Sequence, residues 1–224
     1  MDAIYQFPRT AFLGRTIPKN KFYQVLEADE RVKRFFIDYI ERIVLQFKLS
    51  PDTVNLQSSP DLAELNVFEI QLKRADYPRK VIEYIEKAIP YPMLHVLRFE
   101  RQVQQVIAYK VPHAQKQGEW VVQALYASEW QDERAVMISL DGASSMRALY
   151  DGYVKKWMPV ANQTEAVDTG QSVEQLFHKQ QELDRLNKEI ARLETKLRNE
   201  KQFHKKAPIL MELQALRKQR AELG

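Results

Sequence analysis

The most regular alternation of hydrophobic and polar positions lies in the last part of the chain, residues 172–224. Leucine and isoleucine recur there mainly at spacings of three and four, which is the seam of a helix that buries one stripe against a partner helix. The seam positions are Leu176, Leu183, Leu186, Ile190, Leu193 and Leu197. Ser172 followed by Gln175 indicates a capping box at the start of this helix.

A second, shorter helix is predicted to begin at Pro208, because proline breaks a helix interior but suits a first turn. Its apolar positions Ile209, Leu213, Leu216 and Leu223 repeat the seam. An isolated helix of about 16 residues is marginal in water, so we expect it to fold back on the first helix. The prediction is an antiparallel helical hairpin (coiled coil) with its tip near residues 203–207. The pattern leaves open whether the hairpin closes within one chain or between two copies.

The strongest helical signal in the rest of the chain covers residues 29–47. Its apolar positions fall on one face of a helix. They are Val32, Phe35, Phe36, Tyr39, Ile40, Ile43, Val44 and Phe47. The pattern predicts one core helix with Asp29 as its N-cap and a stop at Ser50-Pro51. A short strand is predicted to follow over residues 52–56.

Alternating and periodic segments then predict the remaining elements of a globular domain. Strands are predicted over residues 65–73, 93–99, 103–111 and 120–127, with a short one over 136–140. Helices are predicted after Pro78 and over residues 146–157. The expected fold class is α+β, with a mixed, mainly antiparallel sheet and packed helices. We expect a globular domain over residues 1–160, a linker over 161–171 and a hairpin arm over 172–224.

The distribution of charge adds a candidate interface. Residues 1–173 carry 22 Lys and Arg against 22 Asp and Glu, whereas residues 174–224 carry 12 against 8, so the net charge of +4 lies in the arm. The basic residues near the tip are Arg198, Lys201, Lys205 and Lys206. A basic tip can contact phosphates. The alternative is an ordinary solvated coiled-coil surface.

A second basic segment lies near the N-terminus, where Arg15, Lys19 and Lys21 alternate with aromatic residues. Such a segment can bind nucleic acid by phosphate contact and base stacking. Alternatively, the aromatic side chains fasten an N-terminal arm to the core, and we favour this interpretation.

Composition excludes several other chemistries. The chain has no cysteine, so it has no disulfide and no thiolate site. Its six glycines form no phosphate-binding or dinucleotide fingerprint, and its four histidines do not cluster at zinc-ligand spacing. We therefore expect neither a cofactor nor a metal. No apolar run reaches the ~18 residues of a membrane span, and no signal segment is evident, so a cytoplasmic location is expected.

One constellation has the form of a catalytic site. Pro60-Asp61 precedes Glu69, Gln71 and Lys73, and the last three share one face of a predicted strand. This order is similar to that of magnesium-dependent nucleases of the restriction-endonuclease-like fold, in which two carboxylates hold the metal. Gln71 stands where those enzymes usually have lysine. The favoured alternative is the polar face of a half-exposed strand.

Two resemblances add to this interpretation. Residues 189–200, with Phe203 and 206–208, resemble the C-terminal coiled-coil arm of valyl-tRNA synthetases, which implies a hairpin that lies on RNA. The whole chain resembles a bacterial and archaeal family known as domain of unknown function 4391. The matching segments include Tyr5-x-Phe7-Pro8, residues 17–22, 49–56, 68–73, 87–92 and 200–203. That resemblance implies genes encoded beside helicases and DNA methyltransferases of restriction and defence loci.

The leading expectation is therefore a non-enzymatic accessory subunit that docks a helicase or methyltransferase, or nucleic acid, through the hairpin. The partner-binding positions would be Leu183, Leu186, Ile190, Leu193, Leu197, Leu213 and Leu216. One alternative is a magnesium-dependent nuclease at Asp61, Glu69, Gln71 and Lys73. Another is a structural protein that forms homo-oligomers by pairing hairpins between copies.

Overall fold

A computed structural model describes residues 4–115, 119–163 and 170–223. The helices are α1 (Lys19–Val25), α2 (Glu30–Tyr39), α3 (Pro51–Val54), α4 (Lys80–Ala88), α5 (Met146–Trp157), α6 (Pro159–Gln163), α7 (Val173–Asn199) and α8 (Phe203–Leu223). The strands are β1 (Phe12–Thr16), β2 (Ile40–Leu49), β3 (Leu65–Leu72), β4 (Met93–Phe99), β5 (Gln102–Pro112), β6 (Trp120–Ala127) and β7 (Gln131–Asp132). None of the described helices is both long and apolar enough to cross a membrane.

The strands form one mixed sheet in the order β1-β2-β3-β4-β5-β6, with β7 added beside β5. Among the described strands only β3 and β4 pair in parallel, and α4 provides the crossover between them. All the other pairs are antiparallel. The predicted α+β class, with a mainly antiparallel mixed sheet and packed helices, is therefore confirmed.

Both faces of the central strands β3, β4 and β5 are buried. On one face, α1, α2 and α4 cover a cluster that includes Phe68, Ile70 and Leu97. On the opposite face, α5 packs across β5 and β6, and its Tyr150 hydroxyl donates a hydrogen bond to the Ala108 carbonyl at 2.7 Å. Strands buried on both faces lose the simple alternation of apolar and polar residues.

The predicted core helix over residues 29–47 is wrong beyond Tyr39, where α2 gives way to β2. The strand carries two irregularities in its pairing with β3, between Ile40 and Arg42 and between Leu45 and Phe47. Each adds a residue to β2 and shifts the following side chains to the other face. Combined with burial on both faces, these shifts give apolar spacings of three and four that imitate a helix.

Three smaller predictions also need correction. Residues 52–56 contain the short helix α3 instead of a strand, because Ser50 and Thr53 form a capping box that starts a helical turn. Residues 136–140 contain only an isolated bridge between Ile138 and Tyr5. The second hairpin helix begins at Phe203, so Pro208 lies inside it. Pro208 is the sixth residue of α8, beyond the first four donors that lack an intrahelical partner, so it removes one intrahelical hydrogen bond near the start of the helix.

The chain divides into two compact units, Met1–Trp157 and Met158–Gly224. Most of the predicted linker, residues 164–169, lies outside the described residues. In the second unit, α7 and α8 form the predicted hairpin, and Ser172 and Gln175 make the expected capping box. Ile190, Leu193, Ile209 and Leu213 form its buried seam, with Leu197 and Leu216 packed against them. The seam thus closes within one chain.

Candidate nucleic-acid interface

The hairpin turns at residues 200–202, where two helix ends meet. α7 ends at Asn199, and α8 begins at Phe203 with no acidic residue in its first turn. The Glu200 carboxylate accepts a hydrogen bond from the Gln202 amide at 2.8 Å. This bond and the nearby Lys205 lower the pKa of Glu200. Glu200 therefore stabilises the turn. The positive end of the helix dipole at the start of α8 is not neutralised by an acidic residue in the first turn of that helix.

The four predicted tip cations lie around this turn. Arg198, Lys201 and Lys205 are exposed, and Lys206 is half-buried. None of them forms an ion pair with any residue that the structure describes. These four cations lie within nine consecutive residues, so their positive charges repel one another. A bound polyanion would relieve that repulsion.

Half of the other eight Lys and Arg residues of the hairpin are, in contrast, already paired. Arg185 pairs with Glu182 at 2.6 Å, and Arg217 on α8 reaches Glu194 on α7 at 2.7 Å. Arg192 and Lys218 also lie within 4 Å of a glutamate. The hairpin therefore divides into a shaft with partly neutralised charge and a tip whose positive charge is available.

The tip also presents an aromatic ring to solvent. Phe203 is 87% exposed, the highest value among the exposed large hydrophobic side chains. Leu210 and Met211 lie seven and eight positions further along α8, on the same helix face, and are 45% and 74% exposed. We call Phe203, Leu210 and Met211 the outer row of α8. It is distinct from the seam, which faces α7.

The leucine positions predicted to bind a partner lie in the hairpin interior or at its edge. Leu183, Leu186, Ile190, Leu193 and Leu213 are buried, and Leu197 and Leu216 are half-buried. The facing helix of the same chain occupies the seam between Ile190 and Leu216. These buried leucines are therefore not accessible to a protein partner, whereas the outer row is exposed.

The N-terminal basic residues are separated by the structure. Arg15 on β1 and Lys21 on α1 are exposed. Lys19 is half-buried and its ammonium donates a hydrogen bond to the Ile40 carbonyl at the end of α2. Burial, and then the nearby Lys73, lower the pKa of Lys19. Lys19 therefore stabilises a helix C-terminus.

The aromatic residues beside these cations fasten the N-terminal arm, as favoured from the sequence. Tyr5, Phe7 and Phe22 are all buried. The rings of Tyr5 and Phe7 contact Phe47 with centroid distances of 5.0 and 5.1 Å. These three rings are therefore inaccessible to a nucleic-acid base.

Three of the four residues of the nuclease constellation have side-chain partners within the protein. Glu69 is buried and accepts hydrogen bonds from Arg98 at 2.8 Å and from the Tyr5 hydroxyl at 2.9 Å. Asp61 is exposed and pairs with Arg147 at 2.8 Å. The Lys73 ammonium donates to the Ile37 carbonyl at 2.6 Å. Gln71 is half-buried on β3, and the described residues contain no group of three His, Asp or Glu side chains that could hold a metal ion.

A buried charge cluster, which the sequence interpretation missed, lies on the α4 face of the sheet. The Glu86 carboxylate contacts the Lys110 ammonium and the His95 Nε2, both at 2.6 Å, and all three side chains are almost fully buried. Lys110 also donates to the carbonyls of Ile89 and Tyr91, at 2.8 and 2.9 Å, beyond the end of α4. Burial lowers the pKa of Lys110, and Glu86 opposes that shift.

A sequence signal for this cluster does exist. Glu86 lies four positions after Ile82 and thus on the apolar face of α4, while His95 lies between Met93 and Leu97 on one strand face. Charged residues at apolar positions of two elements indicate a buried pair when they are considered together.

Comparison with models of protein families yields a match. A family model described as a domain of unknown function (DUF4391) matches residues 6–219. No curated protein and no solved structure matches the chain significantly. Because the family match covers nearly all of the 224 residues, the chain belongs to the DUF4391 family.

Proposed function

We propose that this protein is a non-enzymatic accessory component of a DNA-related system and contacts nucleic acid through the tip of its helical hairpin. The observation that carries the proposal is the division of charge along the hairpin. Shaft cations such as Arg185 and Arg217 are paired with glutamates, whereas Arg198, Lys201, Lys205 and Lys206 form no ion pair with any acidic side chain among the described residues.

The tip suits an extended polyanion more than a single small anion. Phosphates along a nucleic-acid backbone can each meet one of the separated cations, and the release of counterions then drives binding. The exposed ring of Phe203 is available for base stacking, which contributes about 1–3 kcal/mol per base in single-stranded complexes. The resemblance of the arm to an RNA-contacting coiled coil supports the same geometry.

The test is binding of the full-length protein to duplex DNA, single-stranded DNA and RNA over a salt series. The variant carries Arg198→Glu, Lys201→Glu, Lys205→Glu and Lys206→Glu. The slope of log affinity against log salt changes by about 0.9 per duplex phosphate contact, so we expect the variant to lose about 3–4 units of slope on duplex DNA.

A shaft variant provides the matched control. Lys179, Lys188, Lys218 and Arg220 lie on the same two helices away from the tip, and their change to Glu alters the net charge by the same amount. We expect it to retain most of the binding. Equal losses in both variants, or no salt-dependent binding of the wild type to any of the three nucleic acids, would overturn the proposal.

The outer row of α8 favours a second candidate function, the docking of a protein partner. Three exposed apolar side chains on one helix face match the spacing with which helices enter apolar grooves. The family resemblance points to a helicase or DNA methyltransferase as the partner. Phe203→Ser with Leu210→Ser and Met211→Ser keeps the charge and is expected to abolish capture of that purified partner, whereas the shaft variant is expected to retain it.

The nuclease alternative stays a prediction with its own test. Glu69 is committed to Arg98 and Tyr5, so Glu69→Ala is expected to lower stability whatever the function. Magnesium- or manganese-dependent cleavage by the wild type, lost in a folded Glu69→Gln variant, would favour a nuclease over an accessory protein.

A further inference from the structure

A cavity in the first unit lies where β3 leads into α4, and nothing described above uses it. Its volume is about 320 Å³. Ala75, Tyr77 and Arg79 line it from the β3–α4 connection, and Trp130 lines it from the segment before β7. Ile82, Val106 and Leu125 provide apolar surface. Pockets for small ligands start at about 300 Å³, so the space suits a ligand with one ring system.

The walls of this cavity are aromatic and fixed in position. The rings of Tyr77 and Trp130 meet edge to face, with centroids 6.4 Å apart at an angle of 85°. The Tyr77 hydroxyl donates a hydrogen bond to the Gln104 side-chain oxygen at 2.7 Å. Because the hydrogen bond to Gln104 and the contact with Trp130 hold the Tyr77 ring, a flat aromatic ligand can pack against it without ordering that side chain on binding.

Gln104 gives the cavity a polar edge. Its side-chain nitrogen donates to the Ser128 carbonyl at 2.7 Å, and its oxygen accepts from Tyr77. A glutamine amide has two N–H groups and two lone pairs, so one donor and one acceptor remain. An adjacent donor and acceptor match the N6 and N7 edge of adenine, which glutamine binds through two hydrogen bonds.

Arg79 places a cation at the rim. Its guanidinium donates to the Leu125 carbonyl at 2.8 Å and lies 3.7 Å from Glu83, and its side chain is 62% exposed. The guanidinium has five N–H donors, so these contacts leave donors for an anion outside the cavity. The carboxyl end of a parallel strand followed by its crossover helix is also where α/β sheets commonly bind ligands.

From these four features we propose that the cavity binds the adenine base of a nucleotide. Tyr77 and Trp130 would contact the base, Gln104 would read its N6 and N7 edge, and Arg79 would contact the phosphate. The base can belong to a free nucleotide or to a nucleic-acid strand. This site lies in a different unit from the hairpin tip and is independent of the function proposed there.

The first test uses only wild-type protein, so no variant needs to fold. AMP is titrated by calorimetry and by tryptophan fluorescence beside ribose 5-phosphate, 7-deaza-AMP and N6,N6-dimethyl-AMP. We expect each base analogue to bind about tenfold or more weakly than AMP, because each lacks one of the two bonds to Gln104. Ribose 5-phosphate is expected not to bind. Binding of ribose 5-phosphate equal to that of AMP, or no binding of AMP, would overturn the proposal.

Variants then test where AMP binds and whether the bound base belongs to a free nucleotide or to a nucleic-acid strand. Ala127→Phe fills the cavity from an exposed position on β6, and Gln104→Leu removes the polar edge. Both are expected to lose AMP binding, whereas the hairpin charge-reversal variant is expected to keep it. Oligoadenylate is titrated into the charge-reversal variant beside AMP. Tighter binding of the strand indicates a strand-derived base, and tighter binding of AMP indicates a free nucleotide. AMP binding that is unchanged in both cavity variants would contradict this site.

Discussion

At the scale of single residues, Lys110 shows how strongly one buried charge can affect the stability of the protein. Its ammonium is fully buried, pairs with Glu86 and binds carbonyls beyond the end of α4. Lys110→Met removes these contacts and leaves the Glu86 carboxylate buried without its cation. We expect the free energy of unfolding in urea to fall by about 3–5 kcal/mol.

Two further variants control this prediction. Lys87→Met lies on the exposed side of α4, the helix that carries Glu86, and we expect it to change stability by no more than about 0.5 kcal/mol. Glu86→Gln combined with Lys110→Met removes the uncompensated charge, so the double variant should be more stable than Lys110→Met alone. A Lys110→Met protein as stable as the wild type would show that the cluster is not formed.

The burial of Tyr77 predicts, again at the scale of a single residue, that the stability of the protein depends on pH. Burial raises the pKa of Tyr77 to about 12, whereas an unfolded tyrosine titrates near 10. The folded state therefore keeps a proton that the unfolded state releases, so its contribution to stability is complete below pH 10 and is lost as the pH rises to 12. The stability difference between wild type and Tyr77→Phe should shrink over this range by about 1.4 kcal/mol per pH unit at most. A difference that stays constant from pH 9 to 11 would contradict the assignment.

The hairpin makes a prediction at the scale of an element, because its two helices share one narrow seam. Leu213 is buried against α7, while Leu210, three positions earlier on the same helix, is 45% exposed. Leu213→Ala should destabilise the hairpin by about 2–5 kcal/mol, and Leu210→Ala by about 0.5 kcal/mol or less. Hydrogen exchange of α7 and α8 in the full-length protein measures this difference. Equal exchange in both variants would mean that the seam lies elsewhere.

The oligomeric state is a prediction at the scale of the whole molecule. Since α8 fills the seam of α7 within the same chain, hairpins have no open leucine stripe left to pair between copies along this seam. We expect light scattering to give the mass of one chain, 26.4 kDa. A dimer mass that persists on dilution would favour the self-associating alternative, and Phe203→Ser would then show whether the outer row holds the copies together.

The sequence by itself determined the elements whose patterns are local. The heptad-like spacing of α7 and its capping box depend on neighbours within a turn or two, as does the amphipathic pattern of α4. Local patterns of this kind survive in the folded chain because the same residues that specify an element also bury its apolar face. The hairpin and the α+β class were therefore predictable, and so were the basic residues of the tip.

The tertiary structure alone decided what depends on residues far apart in the chain. The strand β2 was predicted as part of a helix, because its irregular pairing with β3 and its burial on two faces give helix-like spacings. Neither feature can be inferred from one segment of the sequence. Whether a cation is available depends on partners such as Glu194, which lies 23 residues from Arg217. The Lys110 cluster and the cavity beside Tyr77 likewise combine α4 with strands later in the chain. Each arises when chain folding brings together side chains whose sequence separation carries no periodic signal.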